Sequence, residues 1–330
     1  MATSLSAASI PSIAVIVVTW NTRDLLRACL TALTAPADDG WMRIVCIDNG
    51  STDGTADMVA REFPTVLLVR RDQNIGFPGG ANVGITLALE RFAPRFVALV
   101  NSDLVVTPDT LAALVRHLER HEEVAAVSPR LRHPSGTLQS GAAGFAPTAW
   151  TGIAHFLFLS ALTRGRCRGV FINQHHFIRR SEAVAVDWVT GACPVMRTEA
   201  IQRVGLLEEA FFMYADDVDW CCRARRAGFA IHFLPTVEAV HWQGATSPTA
   251  DPKWLASLCA LVRRDRGTTE YIIFRLAAAV GFALRCGLYA LAFVARRDRK
   301  YWKSAGDMLV YAQWAFDLRR GPTARGDAPG

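Results

Sequence analysis

Short apolar runs alternate with amphipathic stretches over the first hundred residues of this chain. Four runs have the composition of strands buried on both faces of a sheet, and they cover residues 13–18, 43–47, 66–69 and 96–100. The stretches between them carry apolar residues at helical spacing and predict helices over residues 22–33, 55–63 and 79–91. Strands that alternate with helices predict an α/β fold, with a Rossmann-like, mostly parallel sheet flanked by helices.

Polar side chains follow the predicted strands at their carboxyl ends. Thr19, Asp48 and Asp103 each lie just past a strand, although they are far apart in the sequence. Ligands of parallel sheets bind outside the carboxyl ends of the strands, so these side chains are expected on one rim. Asn101-Ser102-Asp103 combines a carboxylate with two neutral oxygen-bearing side chains, which suits a hard cation on phosphates. The same residues are also ordinary turn formers.

The densest group of carboxylates is Asp216, Asp217 and Asp219, which follow an apolar run at residues 210–213. Helix capping explains them most simply. Asp216 would cap a helix whose first turn places the other two acids near the positive end of the helix dipole. Asp219 would then pair with Arg223, four residues later. An active site is the alternative explanation, and the rest of the chain decides between the two.

At 330 residues and 51% hydrophobic content, the chain can bury one sizeable core, which excludes disordered and fibrous proteins. We predict four segments: a flexible N-terminus at 1–12, a catalytic domain at 13–250, a helical region at the membrane surface at 251–320, and a disordered tail at 321–330.

Cysteine usage and the N-terminus bear on the cellular compartment. Eight cysteines are scattered without a CxxC pair, which predicts buried thiols in a reducing compartment, with no disulfide and no zinc cluster. Residues 1–11 lack the basic start and the long apolar core of a secretory signal. The protein is therefore expected in the cytoplasm.

The net charge is +6, and the positive residues are unevenly placed, which favours anionic partners. Two clusters stand out: Arg164, Arg166, Arg168, Arg179 and Arg180 in mid-chain, and Arg296, Arg297, Arg299, Lys300 and Lys303 near the end. The mid-chain basic residues suggest a surface excursion over the irregular residues 150–180.

Residues 271–294 are strongly apolar, but Arg275 and Arg285 interrupt them. A membrane span needs about 20 predominantly apolar residues, and a central arginine there is costly. An amphipathic helix or helical hairpin on an anionic bilayer surface fits the pattern better. An ordinary packing helix is the alternative.

Several motifs occur in one order along residues 13–247. They are Val17-Val18-Thr19-Trp20-Asn21, residues 47–55, Asn74-Ile75-Gly76-Phe77 with Asn82 and Gly84, Asn101-Ser102-Asp103, Trp188-Val189-Thr190-Gly191-Ala192, residues 211–223, and His241. Together they make the chain resemble inverting family 2 glycosyltransferases of the GT-A fold. Within that family, the chain most resembles rhamnosyltransferases that act on polyprenyl-diphosphate-linked sugars.

The resemblance implies a nucleotide-binding half at about residues 13–105, an acceptor half at about residues 106–250, and a role for each matching residue. Asp217 matches the general base, and Asp103 and His241 match the residues that hold a divalent metal, Mg²⁺ or Mn²⁺. The residues implied at the nucleotide-sugar pocket are Thr19, Asn21, Asp48, which would face the base, Asn82, Asn101 and Ser102. Those implied on the acceptor side are Trp188, whose ring can stack on a sugar or lie in the core, Gly191, Ala192 and Asp216.

The chemistry of glycosyl transfer needs these groups. Direct displacement requires a base for the acceptor hydroxyl, a stabilised leaving group and an in-line arrangement. A metal on the diphosphate stabilises the leaving group, and a single base on the opposite face of the sugar gives inversion. The sequence therefore predicts a metal-dependent inverting glycosyltransferase for cell-envelope glycan synthesis. Its donor would be a dTDP- or UDP-sugar, with dTDP-rhamnose suggested, and its acceptor a lipid-linked or polysaccharide glycan.

We expect the enzyme to be peripheral on the cytoplasmic face of the inner (plasma) membrane, without a nucleic-acid partner. Two departures from the family pattern leave alternatives open. Asn101 replaces the first acid of the DxD motif, so a catalytically silent nucleotide-sugar-binding or scaffold protein at the membrane is one alternative. Asp216-Asp217 stands where many relatives have Glu-Asp, so the general base could be either of these two neighbouring residues. A nicotinamide-dependent oxidoreductase also fits the alternation, but residues 18–24 contain no glycine for a GxGxxG motif.

Overall fold

A computed structural model describes residues 12–34, 40–177, 181–242 and 251–318. The predictions for residues 1–11 and for the tail at 321–330 lie outside these ranges. The described strands are β1 (Ile13–Thr19), β2 (Met42–Asp48), β3 (Leu67–Arg70), β4 (Phe96–Asn101), β5 (Leu104–Val105), β6 (Val124–Arg132), β7 (Ala143–Gly144), β8 (Val184–Val186), β9 (Trp188–Val189), β10 (Val195–Arg197) and β11 (Ala230–His241).

The described helices confirm the predicted α/β alternation in the first hundred residues. They are α1 (Arg23–Thr34), α2 (Thr55–Glu62), α3 (Gly76–Phe92), α4 (Pro108–Arg120), α5 (Ala149–Phe156), α6 (Leu159–Leu162), α7 (Thr198–Val204), α8 (Asp216–Arg226), α9 (Lys253–Arg266), α10 (Thr268–Arg296) and α11 (Arg299–Phe316), with a 3₁₀ turn at Gln174–Phe177.

The central sheet has nine strands, eight of them in the order β3-β2-β1-β4-β10-β6-β11-β5, with β8 also paired to β11. Strands β1 to β4, β6 and β11 run in one direction, whereas β5, β8 and β10 run against them. The prediction of a mostly parallel sheet is therefore confirmed. All seven residues of β1 are buried, as its apolar sequence requires at the centre of such a sheet.

Helix α3 begins at Gly76, three residues before the predicted start. A Cβ atom on Gly76 would lie 2.5 Å from the carbonyl oxygen of Phe212, and the residue has a φ of +81°, so only glycine fits here. Gly84 allows a second close approach, because a Cβ atom there would lie 2.3 Å from Ile16 Cγ2 of β1. The two glycines place α3 directly against the sheet and against the acidic motif.

Residues 150–180 are only partly the surface excursion that their charge suggested. Arg164, Arg166 and Arg168 are exposed, whereas Arg179 and Arg180 lie outside the described residues. Helix α5, in contrast, packs inside: Phe156 is 1% exposed and its ring meets those of Phe274 and Phe282 on α10. This segment is therefore a layer beneath the C-terminal helices.

Residues 271–294, predicted as an amphipathic helix or a helical hairpin, lie within the single helix α10, which forms a hairpin with α11. Arg275, the residue that argued against a membrane span, is fully buried and donates to the carbonyl oxygens of Trp314, Ala315 and Asp317 at 2.9, 3.1 and 2.7 Å. Arg285 donates to the carbonyl oxygen of Phe156 at 2.6 Å. Both arginines therefore fix α10 to the protein, because each guanidinium satisfies carbonyl groups that the packing would otherwise bury.

Beyond Arg285 the hairpin extends as an arm, which comprises residues 286–304. Its described ring contacts are between the two helices, Tyr289 with Tyr301 and Phe293 with Trp302. By length and composition alone, α10 could cross a membrane, and 28% of its most apolar 18-residue segment is buried in the structure. Exposed apolar side chains line it, including Val280, Leu284, Leu288, Leu291 and Val294.

Candidate active site

Asp103 and His241 meet at the carboxyl ends of two strands that are not neighbours in the sheet. The short strand β5, directly after the Asn101-Ser102-Asp103 motif, pairs antiparallel with the end of β11, opposite His241. This pairing places His241 Nε2 3.0 Å from Asp103 Oδ1 and 3.3 Å from Asn101 Nδ2. The predicted metal-binding pair is thus brought together across 138 residues of sequence.

Gln139 fixes the orientation of the His241 ring, and sequence reasoning missed it. Its Oε1 lies 3.0 Å from His241 Nδ1, while its Nε2 donates to the His241 carbonyl oxygen at 3.1 Å. The second bond assigns the Gln139 amide, so Oε1 accepts a hydrogen bond from the Nδ1–H group of His241 and the ring turns its Nε2 towards Asp103. Gln174 holds Gln139 in turn, through the Gln139 carbonyl oxygen. Neither glutamine belongs to a motif that would have identified it.

The donor set fits a divalent cation that is shared with a diphosphate. An imidazole nitrogen, His241 Nε2, and a carboxylate oxygen, Asp103 Oδ1, lie 3.0 Å apart, close enough that both could bind one ion. Among the described residues, no group of three His, Cys, Asp or Glu side chains could hold a metal alone. Mg²⁺ characteristically takes one or two protein ligands and completes its shell with phosphate oxygens and water.

The predicted nucleotide pocket is assembled from the ends of β1, β2 and β4. The buried hydroxyls of Thr19, Thr22 and Ser102 form a chain, with oxygen separations of 2.8 and 2.9 Å. Asn21, with a φ of +51°, accepts from the Thr52 amide at 2.8 Å and thereby ties the β1 end to the loop after Asp48. Asp48 is 3% exposed, and its carboxylate accepts from the Ser51 amide at 3.3 Å.

Asn82 has a different setting from the other predicted pocket residues. Its Nδ2 donates to the Leu207 carbonyl oxygen at 2.9 Å and to Glu209 Oε1 at 2.8 Å. Its Oδ1 accepts from the Leu207 amide at 3.0 Å. The buried side chain therefore fastens α3 to the loop that precedes the acidic motif. A role at the ribose-diphosphate side stays a prediction.

Asp217 lies in the first turn of α8, with both carboxylate oxygens oriented by backbone amides. Oδ2 accepts from Gly191 at 2.7 Å and Oδ1 from Val218 at 2.8 Å. Burial raises the pKa of Asp217, although these hydrogen bonds oppose the shift. The Thr190 side chain also hydrogen-bonds the carboxylate, which still has lone-pair capacity left to accept a proton.

The prediction that Asp216 caps α8 is wrong. The N-cap is Ala215, which has a φ of +66° and offers no side-chain cap, and Asp216 is the first helical residue. Its Oδ2 is buried without a hydrogen-bond partner, in an apolar pocket lined by Leu99, Met196 and Trp220. Burial, and then the charge of Asp217, hold the pKa of Asp216 well above its usual range. The predicted ion pair of Asp219 with Arg223 is confirmed, at 2.8 Å.

Trp188 lies in the core. Its side chain is 3% exposed, its Nε1 donates to the Phe145 carbonyl oxygen at 3.1 Å, and its ring meets Phe171 edge to face. This is the core alternative that the sequence left open. Gly191 and Ala192, which were also predicted on the acceptor side, do contact other residues of the site. The Gly191 amide donates to Asp217, and the Ala192 carbonyl oxygen accepts from the Asn101 amide at 3.0 Å.

One hydrogen-bond path therefore joins the two halves of the site. It runs from Asp217 through Gly191-Ala192 to Asn101, and from Asn101 Nδ2 to His241 beside Asp103. A carboxylate that can accept a proton and a pair of cation ligands thus flank the same short segment. The arrangement can deprotonate one substrate group while a cation stabilises charge on another.

Known proteins with similar sequences are glycosyltransferases. The N-acetylglucosaminyl-diphospho-decaprenol L-rhamnosyltransferase of Mycobacterium tuberculosis is 28% identical over 247 residues, which is 72% of this chain and 78% of the relative. Rhamnosyltransferase WbbL of Escherichia coli is 21% identical over 231 residues, 69% of this chain and 82% of the relative.

Solved structures show the same fold. The mannosyltransferase PcManGT from Pyrobaculum calidifontis, in complex with GDP-Man and Mn²⁺, matches with a TM-score of 0.56 at 19% identity, over 93% of this chain and 88% of that one. GalNAc-T7 with UDP, GalNAc and Mn²⁺ matches with a TM-score of 0.53 at 15% identity, over 76% of this chain and 48% of that one.

A family model described as "Glycosyltransferase like family 2" matches residues 11–264, a span that includes every motif described above. The strand order places Thr19, Asp48, Asn101-Ser102-Asp103 and His241, at the ends of β1, β2, β4 and β11, on one rim of the sheet. The chain therefore belongs to family 2 of the glycosyltransferases and has the GT-A fold.

Proposed function

We propose that this glycosyltransferase is metal-dependent and inverting, and that it transfers L-rhamnose from dTDP-rhamnose to a polyprenyl-diphosphate-linked sugar in cell-envelope glycan synthesis. The named rhamnosyltransferases among its relatives support the sugar and the acceptor class. The observation that carries the proposal is the path between Asp217 and the Asp103–His241 pair, because it holds a base and two cation ligands within one site.

The residues of this chain divide the reaction between them. Asp217 takes the proton of the acceptor hydroxyl as that oxygen attacks the anomeric carbon, on the face opposite the leaving group, so the configuration inverts. Asp103 Oδ1 and His241 Nε2 hold a divalent cation, which when bound stabilises the negative charge of the departing nucleoside diphosphate. Thr19, Asn21 and Asp48 bind the nucleotide, and Asn101 and Ser102 lie beside its diphosphate.

Asn101 keeps a function at the position where many relatives carry an acid. Its Nδ2 lies 3.3 Å from the ring nitrogen that faces Asp103, so it is a neutral hydrogen-bond partner that aligns His241 until a cation would take up that nitrogen's lone pair. A site with one carboxylate binds a cation less strongly than a site with two, and the donor diphosphate compensates with its own charge. We therefore expect donor and cation to bind cooperatively.

We further propose that the arm attaches the enzyme to the cytoplasmic face of the plasma membrane. Its exposed leucines lie beside a basic tip of five residues: Arg296, Arg297, Arg299, Lys300 and Lys303, all exposed. Apolar burial and attraction to anionic head groups reinforce each other on such a surface. A lipid-linked acceptor would then meet the enzyme in the plane of the membrane.

The test is transfer with purified protein and a panel of donors, dTDP-rhamnose, UDP-N-acetylglucosamine and GDP-mannose, with Mn²⁺ or Mg²⁺. The acceptor is N-acetylglucosaminyl-diphospho-polyprenol. We expect release of the donor's nucleoside diphosphate above the rate of donor hydrolysis with dTDP-rhamnose but not with the UDP- or GDP-sugar, and a product of the opposite anomeric configuration. Retention of configuration, or full activity in a metal chelator, would contradict the mechanism.

The silent scaffold alternative is separated by the same assay. A binding protein would be thermally stabilised by the nucleotide sugar but would release no nucleoside diphosphate when acceptor lipid is added. Family membership excludes the oxidoreductase alternative, because the family transfers sugars and not hydride.

A further inference from the structure

Helix α9 contacts both ends of the segment that carries Asp217. We call this segment, residues 211–219, the base loop. Ser257 Oγ on α9 donates to the Met213 carbonyl oxygen at 3.1 Å. In its last turn, α9 presents Arg264, which pairs with the Asp219 carboxylate and lies 5.7 Å from the centre of the Phe211 ring. A helix from the C-terminal region therefore grips the base loop before and after Asp217.

The base loop needs such support because its backbone is strained. Tyr214 and Ala215 have φ values of +67° and +66°, in the left-handed region that side chains other than glycine rarely adopt. Two such residues in succession persist only where surrounding contacts hold them. The contacts are those of Ser257 on one side and of Asp219 on the other, whose amide donates to the Ala215 carbonyl oxygen at 2.8 Å.

We propose that Ser257 and Arg264 are positioning residues that hold Asp217 in the orientation that accepts the acceptor proton. The C-terminal helices then complete the active site as well as attaching the enzyme, since α9 continues through Gly267 into α10. This inference rests on the proposed role of Asp217 as base. Neither Ser257 nor Arg264 touches the reacting atoms.

Other contacts keep the fold intact when Arg264 is replaced. Asp219 retains Arg223 at 2.8 Å, and a second ion pair, Arg226 with Asp265 at 2.6 Å, still joins α8 to α9. The side chain of Arg264 is 42% exposed, so its removal opens no cavity in the core. Arg264→Ala should therefore fold and lose only the constraint on the base loop.

The experiment compares Arg264→Ala, Ser257→Ala and Arg264→Lys with a matched control, Arg266→Ala. Arg266 is an exposed arginine at the end of the same helix, and the described residues provide no ion pair for it. We expect kcat to fall at least about tenfold in the two alanine variants, with KM for the donor within about twofold, because a small misplacement of a catalytic group is enough to slow the chemical step. Arg264→Lys should recover part of kcat, and Arg266→Ala should match the wild type.

Amide hydrogen exchange over residues 211–221 gives a readout that does not depend on the reaction. Faster exchange in the Arg264→Ala and Ser257→Ala proteins, but not in Arg266→Ala, supports the positioning role. Unchanged exchange in both, or an equal loss of kcat in the control, overturns it. If exchange rises while Asp217→Asn turns over normally, the base assignment has failed, and the contact between α9 and the base loop alone remains.

Discussion

Asp217→Asn tests the centre of the proposed mechanism, and its structural cost can be worked out beforehand. Both carboxylate oxygens accept hydrogen bonds from backbone amides, that of Gly191 at 2.7 Å and that of Val218 at 2.8 Å. Asparagine offers one acceptor oxygen, so its NH₂ group must face one of these N–H donors. A buried donor left without an acceptor costs about 1–3 kcal/mol. The variant should therefore be less stable by that amount.

The effect on catalysis should be much larger. Loss of a general base typically lowers the rate by about 10²–10⁴-fold. The assay is dTDP release at saturating donor and acceptor, with the melting temperature and its increase on donor binding as controls for folding and for the nucleotide site. Turnover within about threefold of the wild type, in a protein that still binds donor, would refute the assignment of Asp217 as base.

Three further predictions follow from neighbouring features. Asp216 has a raised pKa in the folded protein, so folding favours its neutral form. The free energy of unfolding should therefore fall as the pH rises from near 4 towards the folded pKa, by up to about 1.4 kcal/mol per pH unit. Denaturant unfolding between pH 4.5 and 7.5 should show a smaller decline for Asp216→Asn, and an equal decline would contradict this. Gln139→Leu should weaken Mn²⁺ binding about 10- to 100-fold in a titration with nucleotide present, and an unchanged midpoint would show that the ring needs no such orientation. Replacing Leu288 and Leu291, which are 57% and 69% exposed, with serine should reduce sedimentation with anionic vesicles about tenfold or more. The control Leu162→Ser, which changes a leucine that is 77% exposed outside the arm, should sediment as the wild type does. Equal sedimentation of the wild type, the double variant and the control would exclude the arm as the membrane attachment.

The sheet and its rim were predictable because the rule for parallel strands needs only local patterns. A buried strand is recognised by its apolar run, and the residue that follows it must lie at the sheet edge. Thr19, Asp48 and Asp103 are placed correctly on that basis. His241 needed the family pattern as well, because it ends β11, a strand that the sequence patterns did not predict, and the pairing of β5 with β11 brings it beside Asp103.

The features that the sequence did not reveal all depend on packing between distant segments. Gln139 reaches His241 from a turn 102 residues away, and no spacing rule links a glutamine to a metal ligand. The failed capping prediction for Asp216 has a local cause. The chain enters α8 through two left-handed residues, and this geometry is not encoded by glycine or asparagine at those positions. Trp188 could not be assigned to core or to surface until Phe171 and Phe145 were placed around it.

Arg275 has a consequence for how the chain is completed during synthesis. Its guanidinium is buried on α10, yet its carbonyl partners are Trp314, Ala315 and Asp317, about forty residues later. A ribosome that has made α10 but not the end of α11 has produced an arginine that can contact Tyr271 on its own helix but lacks its carbonyl acceptors on α11. Since removing partners of a buried charge costs about 3–5 kcal/mol, we expect α10 to pack stably only once α11 is finished. A chain that is cut short near residue 310 should therefore have a poorly packed α10 that proteases cleave readily.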